Sequence, residues 1–262
     1  MFQQAMQHRH LIWELAMREF RDRFVGHLLG WCWVVLQPAL FMGIQIFVFA
    51  CVFRVSLAGF PHLPHTYATY VLAGMIPWYY VQEMLMKGCV AVSGQAGLVK
   101  QVVFPVEVLP LKTVVATTLP QIIAIGLYML YTFVSFHSLP WTYLLLPIAL
   151  LLQFLLMSGL SCLLSAVGVY VRDIREVIQS LLLAALYLLP VFYLPDMVPG
   201  VFRWVLWLNP FSYLVWVYQD VLYFGHIAHP WAWGVLTVES FIFFVLGAQV
   251  FRRLKIMFGS YL

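Results

Sequence analysis

The sequence predicts an all-α integral membrane protein with six transmembrane helices. Three observations carry that expectation. First, of 262 residues 64% are hydrophobic and 9% charged, and the mean hydropathy is +0.92. Soluble domains carry roughly 25% charged residues, so 14 Lys and Arg with 10 Asp and Glu could not cover the surface of a soluble fold this long. The same apolar excess excludes a disordered chain. Second, long charge-free runs divide into segments near the ~20 residues that cross a bilayer core. Third, Lys and Arg segregate strongly to one side of those segments, as cytoplasmic loops require.

The elements follow in chain order. Residues 1–29 hold a cytoplasmic amphipathic helix over Leu11–Phe24, with Trp13, Met17, Phe20 and Phe24 recurring at helical period. Glu14–Arg18, Arg18–Asp22 and Glu19–Arg23 are i,i+4 pairs on its polar side. Such a helix lies in the membrane interface, as a lipid anchor or also as a partner-facing surface. The domain 30–262 then carries spans near Gly30–Phe53, Tyr67–Met86, Thr113–Phe136, Tyr143–Val169, Val177–Leu194 and Trp231–Val250. Pro38, Pro77, Pro120, Pro147 and Pro190 fall inside them and predict kinked helices around a cavity. The cluster Ser135–Pro140 turns the chain between the third and fourth spans.

With both termini cytoplasmic, Arg9, Arg18, Arg21, Arg23, Lys87, Lys100, Lys112, Arg172, Arg175, Arg252, Arg253 and Lys255 fall inside, and only Arg54 and Arg203 outside. Twelve against two fixes the orientation.

Three connections are more than turns. Residues 93–112 carry a short apolar stripe (Leu98, Val99, Val102, Val103) broken by Phe104-Pro105. This is a loop helix or a docking segment for a soluble subunit. In the inner loop 170–176, Asp173 is placed to cap the fifth span. The outer stretch 195–230 holds two aromatic-rich segments, Val201–Leu208 and Phe211–Phe224, joined at Asn209-Pro210. Each is too short to span, and its rings suit either a re-entrant element or a headgroup belt.

Little in the chain suggests chemistry. The phosphate-cradling pattern G-x-x-x-x-G-K-[ST] is absent, as are H-E-x-x-H and G-x-S-x-G. Four cysteines lie in or beside apolar runs without metal-ligand spacing and read as small buried residues. His62/His65 and His226/His229 are i,i+3 pairs on the outer side and read as ordinary loop histidines rather than a metal site. Glu83 has Lys87 one turn later, whereas Glu239 sits near the middle of the sixth span with no partner close in sequence. Ser158, Cys162 and Ala166, with Ser161 and Ser165, form a helix-packing face. An enzyme acting inside the membrane would need a richer polar constellation than Glu83 and Glu239.

Trp13–Phe24, Leu28–Trp33, Gln37-Pro38, Gly74–Trp78, Leu98–Pro110, Arg172–Glu176, Leu208–Phe211 and Tyr218–Asp220, in this order and spacing, resemble the ABC-2 permeases that export lipid-linked O antigen, capsule or teichoic acid. The resemblance implies a homodimer in the bacterial inner membrane with two separate ATPase subunits, which would bind ATP and Mg, and no cofactor, nucleic acid or enzymatic activity on this chain. It implies that Trp13, Arg18, Arg21, Asp22 and Arg23 belong to an interface helix. Gly97, Leu98, Lys100, Phe104, Pro105 and Glu107 would form a coupling helix between spans two and three, and Trp204, Trp207, Asn209 and Trp216 extracytoplasmic gate helices. Val106 stands where the family commonly has a basic residue. Aromatic rings can hold sugar faces weakly, and Phe41, Trp78 and Tyr79, beside Pro38 and Pro77, are candidate channel-lining residues. A permease for drugs or small lipids and a membrane-bound glycan-modifying enzyme are the alternatives.

Overall fold

Helix is the only regular structure among the described residues, as backbone without water to bond requires. The computed structural model describes residues 7–53, 64–99, 104–137, 139–171, 173–194 and 197–258. Arg54, Lys100 and Arg172 lie outside the described residues, as does His62.

The elements are α1 (Arg9–Asp22), α2 (Trp33–Ile46), α3 (Tyr67–Cys89), α4 (Ala96–Val99), α5 (Val108–Phe136), α6 (Leu146–Tyr170), α7 (Ile174–Tyr187), α8 (Arg203–Leu208), α9 (Pro210–Gln219) and α10 (Pro230–Leu254). α2 is entered through a tight turn at Gly30–Cys32 and continues as a wider helical turn over Phe47–Val52. α9 continues likewise over Asp220–Phe224.

Among the described residues, four stretches are long and apolar enough to cross a membrane: Gly30–Val52, Val108–Phe136, Trp141–Tyr170 and Pro230–Met257. Two further predicted spans look different in the fold. α3 has the length, at 23 residues, but its tyrosines, Gln82, Glu83 and Lys87 lower its hydropathy. It is enclosed by other helices, with nearly every side chain buried. α7 has 14 residues, about 21 Å of helix against a ~30 Å hydrocarbon core. It ends short of the predicted Leu194 because Pro190 cannot continue it. The freed Pro190 carbonyl instead accepts the Tyr70 hydroxyl at 3.1 Å and Gln219 Nε2 at 2.8 Å. Pro38, Pro77 and Pro120 are inside helices, but Pro147 lies in the first turn of α6 and Pro190 beyond α7.

The core is built around α3, α5, α6 and α9. Two glycines set its tightest crossing. A Cβ on Gly159 of α6 would lie 2.2 Å from the Phe243 carbonyl oxygen of α10. One on Gly247 would lie 2.0 Å from the Gly159 carbonyl oxygen. Backbone touches backbone there, as small-residue faces allow. Ser161 and Ser240 reinforce the packing through bonds to the Pro110 and Leu152 carbonyls at 3.1 and 3.0 Å. At the centre, Gln121 and Gln153 exchange reciprocal amide bonds of 2.8 and 3.0 Å, and both bond the Tyr218 hydroxyl. All three are buried, so the ring satisfies its polar atoms internally where nothing else could.

Cysteine burial divides. Cys89 and Cys162 are buried as expected, but Cys32, just before α2, and Cys51, in the wider turn after it, are exposed.

Candidate functional site

Candidate residues fall at the two ends of the bundle and in one cleft between them. At the charged end, α1 packs Ile12, Ala16, Phe20 and Phe24 inward. Trp13 is 51% exposed, so the buried stripe runs one position earlier than the sequence suggested in this first turn. Of the predicted i,i+4 pairs, Arg18–Asp22 forms at 3.8 Å between exposed groups. Arg21 is exposed. Glu19 and Arg23 do not pair with each other but turn to other helices. Glu19 reaches Lys112 of α5 at 2.9 Å and Lys87 of α3 at 3.8 Å. Arg23 pairs with Glu83, which also holds Lys87 at 3.0 Å. An ionic chain Arg23–Glu83–Lys87–Glu19–Lys112 thus ties α1 to α3 and α5. Lys112, at 5% exposure, can be buried within α5 only because Glu19 neutralises it. α5 begins at Val108, before the predicted Thr113.

A cleft of about 560 Å³ opens between α1 and residues 87–98, lined by Arg18, Glu19, Asp22, Lys87, Leu98 and Lys112 among others. Gly97 is exposed beside it, with open space where a Cβ would be. The helical part of this segment is confined, among the described residues, to Ser93–Gln95 and α4. Phe104 packs against Ile12, Val108 and Leu111, and Pro105 accepts the Val108 amide at 3.0 Å. Val106 packs with Val92, Leu109 and Phe251. Glu107 is buried and paired with Lys255, so it fastens the segment to the chain's last helical turn and is not offered at the surface. Asp173 stands at the N-cap of α7 as expected, but its side chain makes no capping bond.

Between the ends, Phe41 and Tyr79 stack at 5.1 Å in a cleft with Pro38, Tyr80 and the Arg23–Glu83 pair. Its open volume is about 30 Å³, room for one water molecule. Trp78 is not part of it. Its ring is fully buried, edge-on to Phe211 at 5.5 Å, because it faces α9 while Tyr79 faces α2. The three aromatics therefore do not form one surface in a single chain. Glu239 is half-buried in α10, with Oε2 lacking a hydrogen-bond partner.

At the aromatic end, Asn209 caps α9, its Oδ1 accepting the Phe211 amide at 3.1 Å. Trp204 and Trp207 on α8 are each 59% exposed, whereas Trp216 is 1% exposed. Residues 212–223 are buried throughout, so α9 is a core element and not a headgroup belt. Trp231 bridges the two sets, 5.6 Å from Trp207 and 4.8 Å from Trp216. Behind it, Asp220, fully buried, accepts the His229 amide at 3.1 Å, His229 Nδ1 at 2.8 Å and Trp233 Nε1 at 3.1 Å. His229 is therefore a structural partner and not merely a loop histidine. No group of three or more metal-ligating side chains occurs among the described residues. Asp220 and Trp231 escaped the candidate residues read from the sequence. A lone acid inside an aromatic, otherwise uncharged segment was the available signal.

Along residues 10–223 the chain matches the family described as ABC-2 type transporter. It is 25% identical over 250 residues to the O-antigen export system permease protein RfbA of Klebsiella pneumoniae, covering 95% of this chain and 93% of that protein. The RfbA permease of Myxococcus xanthus is 29% identical over 220 residues, with 83% and 82% covered. The polysialic acid transport protein KpsM of Escherichia coli is 22% identical over 244 residues, with 91% of each covered.

Proposed function

Because this chain belongs to the ABC-2 type transporter family, we propose that it is the membrane-spanning permease subunit of an ATP-driven exporter of a lipid-linked polysaccharide. The observation that carries the reading is end-to-end similarity to permeases named for O-antigen export and polysialic acid transport. The sequence has no phosphate-cradling loop, so the energy comes from two soluble ATPase subunits that hold ATP and Mg. Two copies of the permease assemble in the bacterial inner membrane with six spans each. Both termini are cytoplasmic, as the charge asymmetry requires.

The geometry supports a division of labour. Residues 93–112, with the 560 Å³ cleft beside Gly94, Gln95 and Leu98, receive the ATPase. Glu107–Lys255 and the ionic chain on α1 relay its movement into α5 and α3. Among the described residues the interior of one chain is filled by Trp78, Trp216 and Tyr218 and offers no passage for a sugar chain, so the conduit forms between two copies. Phe41 and Tyr79 face it. Glu239, near the middle of α10, is a structural or conduit-lining residue and carries no proton coupling.

The test is deletion of the gene in its own strain, followed by complementation with this chain. Complementation is repeated beside an ATPase subunit whose phosphate-loop lysine is replaced. Polymer should vanish from the surface and accumulate inside, returning only with the intact chain and intact ATPase. Unchanged surface polymer in the deletion strain refutes the reading and leaves a drug or small-lipid permease. Polymer that reaches the surface but lacks a substituent points to a modifying enzyme.

A further inference from the structure

We infer that the helical turn Lys255–Met257, with Phe258 beyond it, is a clasp that closes the base of the ATPase-docking segment, so that Lys255 and Phe258 are positioning residues for coupling. The inference rests on the permease reading above. The docking segment leaves the bundle after Val92 and rejoins it at residues 106–109, where α5 begins. Between those points helix is confined, among the described residues, to Ser93–Gln95 and α4. Helices this short hold no shape on their own in water. A segment that takes load from a partner must therefore be fixed from outside itself.

Both ends of the segment meet on that one turn. At the exit, Val92 is fully buried in an apolar cluster that also holds Leu109, Phe251 and Phe258. At the return, Val106 packs against the same cluster, and buried Glu107 pairs with Lys255. Phe258 is 1% exposed. Its ring stands edge-on to Phe251 at 5.6 Å and lies 6.2 Å from the ring of Tyr170. The Tyr170 hydroxyl bonds the Leu254 carbonyl at 2.8 Å, which ties the turn to the end of α6. The turn is thus held from behind by α6 while it grips both ends of the segment. A lysine at the end of a span ordinarily reaches for water or headgroups. Lys255 instead turns to a carboxylate 148 residues away. With the clasp closed, a push on the segment moves α3 and α5 together. With it open, the same push dissipates in bending the short helices.

The experiment uses the full chain in lipid nanodiscs, titrated with the ATPase subunit of the same exporter. ATPase affinity and hydrogen exchange are read on each variant, and complementation gives export per ATP hydrolysed. Lys255→Met and Phe258→Ala should each weaken ATPase binding at least tenfold, lower export per ATP at least tenfold, and speed exchange over residues 93–99 at least tenfold. Amides of residues 146–159 in α6 should keep wild-type protection, which a general loss of stability would not allow. Lys255→Arg and Phe258→Leu should retain most of both functions. Ile256→Ala, on the same turn but 82% exposed, should change nothing. Wild-type affinity and coupling in both Lys255→Met and Phe258→Ala overturn the clasp, as does faster exchange throughout α6. An equal defect in Ile256→Ala also overturns it, because the turn would then touch the ATPase directly. If the wild-type chain itself binds no ATPase subunit, the permease reading fails and the clasp with it.

Discussion

Removing Glu19 should free α1 from the bundle, and a second substitution should bring it back. Glu19 lies 2.9 Å from Lys112, whose side chain is 6% exposed, while Glu19 is 26% exposed. At that separation and an effective dielectric of about 20, the gross attraction is roughly 6 kcal/mol. Desolvation offsets most of it, so the pair itself adds little net stability. Truncating one partner is different, because it strands a buried ammonium. Breaking a buried pair costs about 3–5 kcal/mol; partial exposure of Glu19 and the remaining contacts of α1 bring the expectation for Glu19→Ala to about 3 kcal/mol. That corresponds to roughly a hundredfold faster hydrogen exchange for the α1 amides. Lys112→Met on the Glu19→Ala background removes the stranded charge and should recover most of the protection. Exchange followed by mass spectrometry on nanodisc-embedded protein reads both variants. Unaltered α1 protection in Glu19→Ala, or no recovery in the double variant, would refute the reasoning.

Three further outcomes follow from the packing. Gly159→Ala or Gly247→Ala must push α6 and α10 apart and should cost about 3 kcal/mol or more. Gly234→Ala, with nothing within 4 Å of its Cβ, should be neutral or stabilising by up to ~1 kcal/mol; thermal melts in detergent separate the two. Gln121→Leu leaves Gln153 and Tyr218 short of partners inside the bundle, costing about 1–3 kcal/mol in the same assay. His65, whose ring stacks on Phe136 at 4.2 Å, has its pKa lowered from 6.5 by burial. Its neutral form is the one the fold accommodates, so its contribution is whole above pH ~6.5 and is lost as pH falls towards the depressed folded value. Wild-type protein should melt earlier near pH 5 than at pH 7.5, and His65→Phe should remove that part of the difference.

Helical content and the four most apolar spans were legible because lipid allows no other backbone and because apolar runs need only length. α3 and α7 were harder. The expected extent Tyr67–Met86 matches α3 closely, but burial inside protein replaces lipid as its apolar environment, so hydropathy alone does not mark it as a span. α7 ends where Pro190 and two distant donors, Tyr70 and Gln219, meet. Local period placed α1 correctly but misjudged Trp13, because one turn of helix drifts easily by a position. Pairing by spacing found Glu83–Lys87 and Arg18–Asp22. It missed Glu19–Lys112, Glu107–Lys255 and Asp220–His229, which depend on how helices come together, with separations of up to 148 residues. The aromatic motif Leu208–Phe211 was visible in the sequence, but which rings are buried was not. Trp204, Trp207 and Trp216 look alike as letters, and only the seating of α9 in the core separates them.

The contact between Gly159 and Gly247 has a mechanical consequence. Two helices whose backbones touch cannot slide or tilt without collision, so α6 and α10 behave as a single fixed strut. Shape change during a transport cycle is thereby displaced onto the least embraced parts of the chain. α2 has only Val34 and Met42 buried, and α7 only Leu182. α2 is joined to α1 through Gly26 and Gly30, both at positive φ, a backbone setting that glycine adopts without strain. Motion started at the charged end would therefore swing α2 about those two glycines while the strut stands still.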